Sequence, residues 1–267
     1  TGRTLQVGPQ GTSQGAYWAA RKAIAEGRLG KPVWSQGAYC RNSRGGQFNW
    51  PMQEDAGPAN DPAADGYVWW DRWLGHDYDL APEIAWNPDH FFRFRKYFAY
   101  NGGLATDLLY HRLSPLLMAI SGHQGEYPKR VVASGGIYLE KDERDIPDTF
   151  FMMVDYPSEH TVALSSVMTN DDTWPDVIRG QYATMNFGDG ITLKEQRVWS
   201  DEFRRANGIT TTSVVADDGT PRDEPRRGQA EVRLEHPPRR DHMGNFMDAV
   251  RNGDRLACDV DLGCSVM

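Results

Sequence analysis

Asp107 and His111 stand four residues apart, just after the pair Gly102-Gly103. On a helix that spacing brings both side chains to one face. A carboxylate beside an imidazole is a general-base pair: the acid orients the ring, raises its pKa toward working pH, and the ring takes a proton from a reacting hydroxyl. The same spacing also describes a solvated ion pair, so the surroundings must decide. Upstream, Phe91-Phe92-Arg93-Phe94-Arg95-Lys96-Tyr97-Phe98-Ala99-Tyr100-Asn101 interleaves cations with aromatic rings. That mixture suits a polyhydroxylated ligand, whose C–H faces stack on rings while its hydroxyls need polar partners. Arg95, Lys96, Tyr97, Tyr100 and Tyr110 are therefore expected to line a substrate cleft, against the alternative of aromatic packing with solvated charges.

Other candidates are weaker. His76, His90, His123, His160 and His236 are scattered without ligand spacing, and His242 reads as a helix-entry residue. Cys40, Cys258 and Cys264 form no framework and read as ordinary small residues, so no metal site is expected. The net charge of -8 is spread along the chain, which excludes a nucleic-acid surface of clustered positive charge. No apolar run is long enough for a membrane-spanning helix. The compartment is left open.

The elements that must position these residues divide the chain in two. Leu5–Val7 reads as a short strand, Ala16–Glu26 as a helix stopped by Gly27 and Gly30, and Val33–Cys40 as a strand. Arg41–Gly66 is loop by content, with short helical turns expected around Asp71–Leu74 and Pro88–Arg95. Leu104–Ile120 carries the best helical period. Strands follow at Val131–Leu139, Thr149–Tyr156, Thr161–Met168, Tyr182–Phe187 and Ile191–Trp199, the last two joined through Gly188-Asp189-Gly190. Asn207–Arg240 reads as a long loop, with the charged run Asp217–Arg227 solvated. A short helix is expected over Met243–Arg251, and another after Asp261. The fold class is α+β: a large open, mostly antiparallel or mixed β-sheet with helices on one face.

The order of three motifs carries a resemblance. Trp70-x-x-Trp73-Leu74-Gly75, then Phe92-Arg93-x-Arg95-Lys96-Tyr97, then Gly102-Gly103-x-x-x-Asp107-x-x-x-His111 is similar to the glucose–fructose oxidoreductase, inositol dehydrogenase and rhizopine-catabolism (Gfo/Idh/MocA) family. Leu5-Gln6-Val7-Gly8 resembles the strand closing that family's nucleotide-binding domain. Gly27-Arg28-Leu29-Gly30-Lys31-Pro32, Asp148-Thr149-Phe150, His242 with Asn245-Phe246, and Asp248–Gly253 fit its later part. By this resemblance His111 matches the proposed proton acceptor and Asp107 the acid that positions it. The family's lysine in Glu-Lys-Pro and its Gly-x-Gly-x-x-Gly fingerprint have no counterpart; Gly8-Pro9-Gln10-Gly11 lacks the spacing.

The resemblance implies a single substrate-binding and sheet domain over 1–267, with 1–14 a remnant of the interdomain boundary and a Rossmann domain missing upstream. It implies an NAD- or NADP-dependent oxidoreductase of a sugar, sugar derivative or cyclitol, with the cofactor bound mainly by that missing domain and the isolated fragment inactive as a dehydrogenase. Cofactor-binding residues within the chain are not identified. Two alternatives stand beside it: an NAD-assisted glycoside-cleaving enzyme of the same family, or a non-catalytic assembly and ligand-binding module. A homo-oligomer formed through the open sheet face is also implied.

Overall fold

The computed structural model describes residues 2–209, 229–236 and 238–267, with the backbone of 213–215 and 221–223. The elements in chain order are α1 (Gly15–Ala25), β1 (Pro32–Ala38), α2 (Trp70–Leu74), α3 (Pro88–Phe92), α4 (Gly103–Asp107) and α5 (Tyr110–Ser121). Then come β2 (Arg130–Gly136), β3 (Thr149–Tyr156), β4 (His160–Val167), β5 (Val177–Gly180), β6 (Ala183–Gly188) and β7 (Gly190–Glu195). The chain continues with α6 (Ser200–Ala206), β8 (Ser213–Val215), β9 (Pro221–Asp223), β10 (Glu231–Leu234), α7 (His242–Asn252) and α8 (Val260–Ser265).

Eight strands form one sheet in the order β10-β7-β6-β5-β1-β4-β3-β2. Only β1 and β4 run parallel; the other pairings are antiparallel. The parallel pair follows from connectivity, because a long excursion separates β1 from β4, while β3 and β4, β5 and β6, and β6 and β7 are joined by short turns. Asp189 alone separates β6 from β7, with Gly188 paired to Gly190, whose φ of 95° only glycine adopts without strain. The expected α+β class with a mixed, mostly antiparallel sheet is the architecture observed.

One face of the sheet carries the core. Leu109, Leu113, Leu116 and Leu117 of the α5 region and Tyr17, Ala20 and Ala23 of α1 pack on Val154, Leu164, Ile178, Met185 and Leu193. The period-2 alternation of the strands places the intervening residues on the opposite face. There Met153 pairs across to Ala163 and Ala163 to Gln36, with Phe151 beside Ser165 and Val132 beside Met153. Helices thus cover one face; on the other Met153 is 52% exposed.

Several expected boundaries shift. The period over Leu104–Ile120 is broken into α4 and α5. Leu5–Val7 forms no strand, although Val7 N–H donates to Cys258 O at 3.0 Å. The strand expected to run on to Trp199 stops at Glu195, and a 3-10 turn leads into α6. Within the expected long loop β10 pairs with β7; most of the charged run at 217–227 lies outside the described residues. His242 opens α7 as expected. Its two ring nitrogens bond Ser13 Oγ and Val7 O, each at 2.8 Å. Since a carbonyl only accepts, Nε2 carries the proton and Nδ1 accepts from the serine.

Candidate active site

Gly103, with φ of 66°, allows the chain to turn into α4, and Asn101 Oδ1 accepts its N–H. Leu104 O then accepts from both Leu108 N at 3.2 Å and Leu109 N at 3.0 Å. The second bond spans five residues and widens the helix locally. His111 N bonds back to Leu108 O at 3.1 Å, tightening it again. This wide-then-tight turn separates α4, which ends on Asp107, from α5, whose second residue is His111. Leu108 and Leu109 are buried at the break. Asp107 and His111 are therefore not on one regular helix, yet the Asp107 charge still acts on the His111 ring.

Arg95 Nε donates to both Asp107 oxygens, at 3.1 and 3.2 Å. The Arg95 guanidinium also lies 5.3 Å from the Trp50 ring centre and 4.7 Å from that of Phe94. His111 faces Tyr39, at the end of β1, with ring centres 6.0 Å apart. Two more guanidinium groups flank Tyr39. Arg41 lies 5.0 Å from the ring centre and donates to its hydroxyl at 2.7 Å; Arg112 lies 5.5 Å from the same centre. Behind Arg112, at 3.7 Å, is the buried Asp176, which accepts a short hydrogen bond from Tyr17. Burial pushes the carboxyl of Asp176 and the hydroxyl of Tyr17 upward.

The His111 pKa is lowered from its ordinary 6.5, first because burial disfavours the charged ring. Asp107 opposes that shift, while Arg41 and Arg112 add to it. The expected rise toward working pH is thus reversed. One carboxylate, already held by Arg95, does not outweigh burial and two neighbouring cations.

The remaining expected cleft residues fall elsewhere. Lys96 is buried, with Asp89 at 2.9 Å and Asp142 at 3.5 Å. Tyr97 is also buried, donates to Asp89, and stacks on His90 with ring centres 3.8 Å apart. Tyr100 bonds His90 Nδ1 at 2.8 Å and packs on Trp73. Tyr110 is buried and donates to Gly263 O at 3.2 Å. The structure thus brings Arg95, Asp107 and His111 together, and gives Lys96, Tyr97, Tyr100 and Tyr110 partners within the protein.

That buried network has its own task. Arg144 pairs with Glu140 and, at 2.7 Å, with Asp142, and donates to Gln47 O at 2.9 Å; Gln47 N–H donates to Glu140 at 2.8 Å. Together with Lys96 and Asp89 these bonds tie the 41–66 segment to the residues before α4, and so hold Trp50 beside Arg95. Tyr39, Arg41, Trp50 and Arg112 were not singled out from sequence. Their only signal was position: Tyr39 and Arg41 leave a strand for a loop, where functional groups concentrate.

Segment 8–13 lies against the same helix. Pro115 sits inside α5 and has no N–H, so the His111 carbonyl lacks its helical partner. A Cβ at Gly11 would be 3.0 Å from Pro115 Cγ and 3.6 Å from that carbonyl. Gly11 is thus used for packing in a 3-10 turn rather than in a phosphate cradle, and this segment does not fit a dinucleotide's pyrophosphate. Among the described residues no group of three or more metal-ligating side chains comes together, and no helix is long and apolar enough to cross a membrane.

No family model and no curated protein matches the chain by sequence. Solved structures match it by fold. An NAD-binding protein of Listeria innocua is similar over 98% of this chain and 61% of its own, with a TM-score of 0.56 and 14% identity. An oxidoreductase of Thermotoga maritima covers 100% and 58%, with a TM-score of 0.54 and 12% identity. The UDP-N-acetylglucosamine 3-dehydrogenase of Acidithiobacillus ferrooxidans covers 98% and 58%, with a TM-score of 0.51 and 12% identity. The fold is that of Gfo/Idh/MocA-type oxidoreductases, as the motif order led one to expect. The chain spans about three-fifths of the length of these structures. At such identities the likeness is one of fold, and fold does not by itself define chemistry.

Proposed function

We propose that this chain is the substrate-binding and catalytic-base part of an oxidoreductase that acts on a sugar, a sugar derivative or a cyclitol. The supporting observation is His111: a partly buried imidazole with a lowered pKa, coupled to a carboxylate that Arg95 holds in place. NAD or NADP, carried on a nucleotide-binding domain outside residues 1–267, supplies the hydride acceptor. Without it the chain is inactive as a dehydrogenase. Near pH 7 the His111 ring is largely neutral, so a nitrogen lone pair is open to the proton of a substrate hydroxyl. Asp107 stabilises the imidazolium that results. Two copies pair through the helix-free face of the sheet.

The test uses the enzyme together with its nucleotide-binding domain. His111→Ala is expected to lower kcat by about 100- to 10,000-fold. Ligand affinity and thermal midpoint should stay near those of the unaltered protein, because the residue does not support the core. Undiminished turnover at saturating substrate and cofactor would remove His111 from the reaction, and this reading with it.

A further inference from the structure

We propose that the substrate carries a negative charge, a carboxylate or a phosphate on the sugar, held by Arg41 and Arg112 beside Tyr39. The proposal rests on the oxidoreductase reading and deepens it by naming the substrate class. The chain as a whole has a net charge of -8, yet the guanidinium groups of Arg41 and Arg112 both gather at Tyr39, whose ring faces His111, and both act on the His111 ring. Two carboxylates stand against them, and these are already occupied. Asp107 takes two hydrogen bonds from Arg95. Asp176 accepts from Tyr17 and forms an ion pair with Arg112 at 3.7 Å, longer than a hydrogen bond. Arg112 Nε is buried with no hydrogen-bond partner. Arg41 has Tyr39 as its hydrogen-bond partner and ring neighbour, and no carboxylate within ion-pair distance among the described residues.

Nor does the fold need the Arg41 side chain. Its backbone N–H donates to Val167 O at 2.8 Å, which continues the β1–β4 pairing for any residue type. Its charge is therefore free for a ligand. The planar fork of arginine matches the paired oxygens of a carboxylate or phosphate, and such charge-assisted bonds are roughly twice as strong as neutral ones. A neutral sugar would leave two cations beside a partly buried base, where they hold down its proton affinity. An anion between them offsets that effect. The same group that binds the substrate would thus restore basicity to His111 once the substrate is seated.

Calorimetric titration of residues 1–267 at low ionic strength, with D-glucose, D-glucuronate, D-glucose 6-phosphate and ADP-ribose, tests this. At least one acidic sugar should bind about ten-fold or more tightly than glucose. Which acid is preferred separates carboxylate from phosphate. Arg41→Gln should remove most of that advantage, weakening binding of the acid far more than binding of glucose. In the unaltered chain the advantage should shrink as salt is added, a readout that does not depend on how the variant folds. Equal affinity for glucose and both acids, or an advantage insensitive to salt and to Arg41→Gln, overturns the proposal and leaves the oxidoreductase reading standing. Tighter binding of ADP-ribose than of either sugar acid, lost in Arg41→Gln, overturns it by assigning the arginines to the cofactor. No binding of either sugar acid overturns this proposal, and the oxidoreductase reading then stands or falls on the His111→Ala test.

Discussion

His111 is partly buried, with Asp107 favouring its protonated ring and Arg41 and Arg112 opposing it. The sign of each contribution is open to experiment. Asp107→Asn keeps the shape and removes the one charge that raises the His111 pKa, so the pKa should fall further below 6.5. An NMR titration of the imidazole ring protons would follow it, and an unmoved titration would separate the two residues electrostatically. Asp107 and His111 stood out by type and spacing, but it took the neighbouring aromatic run and the motif order to set them apart from a solvated ion pair, and Arg95 lay within that run. Lys96, Tyr97, Tyr100 and Tyr110 share that local context, yet their side chains turn to Asp89, His90 and Gly263. Local composition offers no way to tell the cation that pairs with Asp107 from the one that pairs with Asp89.

The elements that place these residues are joined at the parallel pair. His160 opens β4, is buried, and hydrogen-bonds Ser35 of β1 at 3.0 Å. Burial pushes its pKa down to about 4 from 6.5. Folded protein therefore binds fewer protons than unfolded chain between those values, and stability falls as pH drops through that window. The difference corresponds to about 3 kcal/mol from this residue between pH 7 and pH 4. Urea unfolding at both pH values should show that loss, and His160→Gln should be less acid-sensitive by a similar amount. Equal acid sensitivity of the two proteins would show that His160 is not the titrating group. At this scale β3 and β4 were readable from alternation, and α7 from its period and its glycine stop. The strand β5 was missed because four residues after Pro175 are too few to show a pattern, and α6 because Val198-Trp199 extended a strand-like run past Glu195.

In the whole molecule, the two faces of the sheet have different fates. Val132, Phe151, Met153 and Trp34 are all exposed, with Trp174 packed beside Phe151 at 6.2 Å between ring centres. Exposed apolar groups gathered on one face mark a contact surface, and a two-fold axis would set the same patch against itself. We expect residues 1–267 to sediment as a dimer at micromolar concentration. Met153→Glu, which places like charges across that axis, should shift the protein to monomer without lowering its thermal midpoint. A monomer before substitution would refute sheet-mediated pairing.

The sequence by itself determined the kinds of element, most of their order, and the Asp107–His111 pair, because periodicity, glycine stops and motif order are written in neighbouring residues. The tertiary structure decided which residues share the site. Arg41 acts on His111 because β1 ends beside α5, and Trp50 lies by Arg95 because Arg93 bonds its carbonyl while Arg144, Glu140 and Gln47 tie down its loop. It also decided the direction of the His111 pKa, since that depends on burial and on charges brought in from distant parts of the chain. Helical spacing reports one neighbouring carboxylate; the field at the imidazole is the sum over everything folded around it.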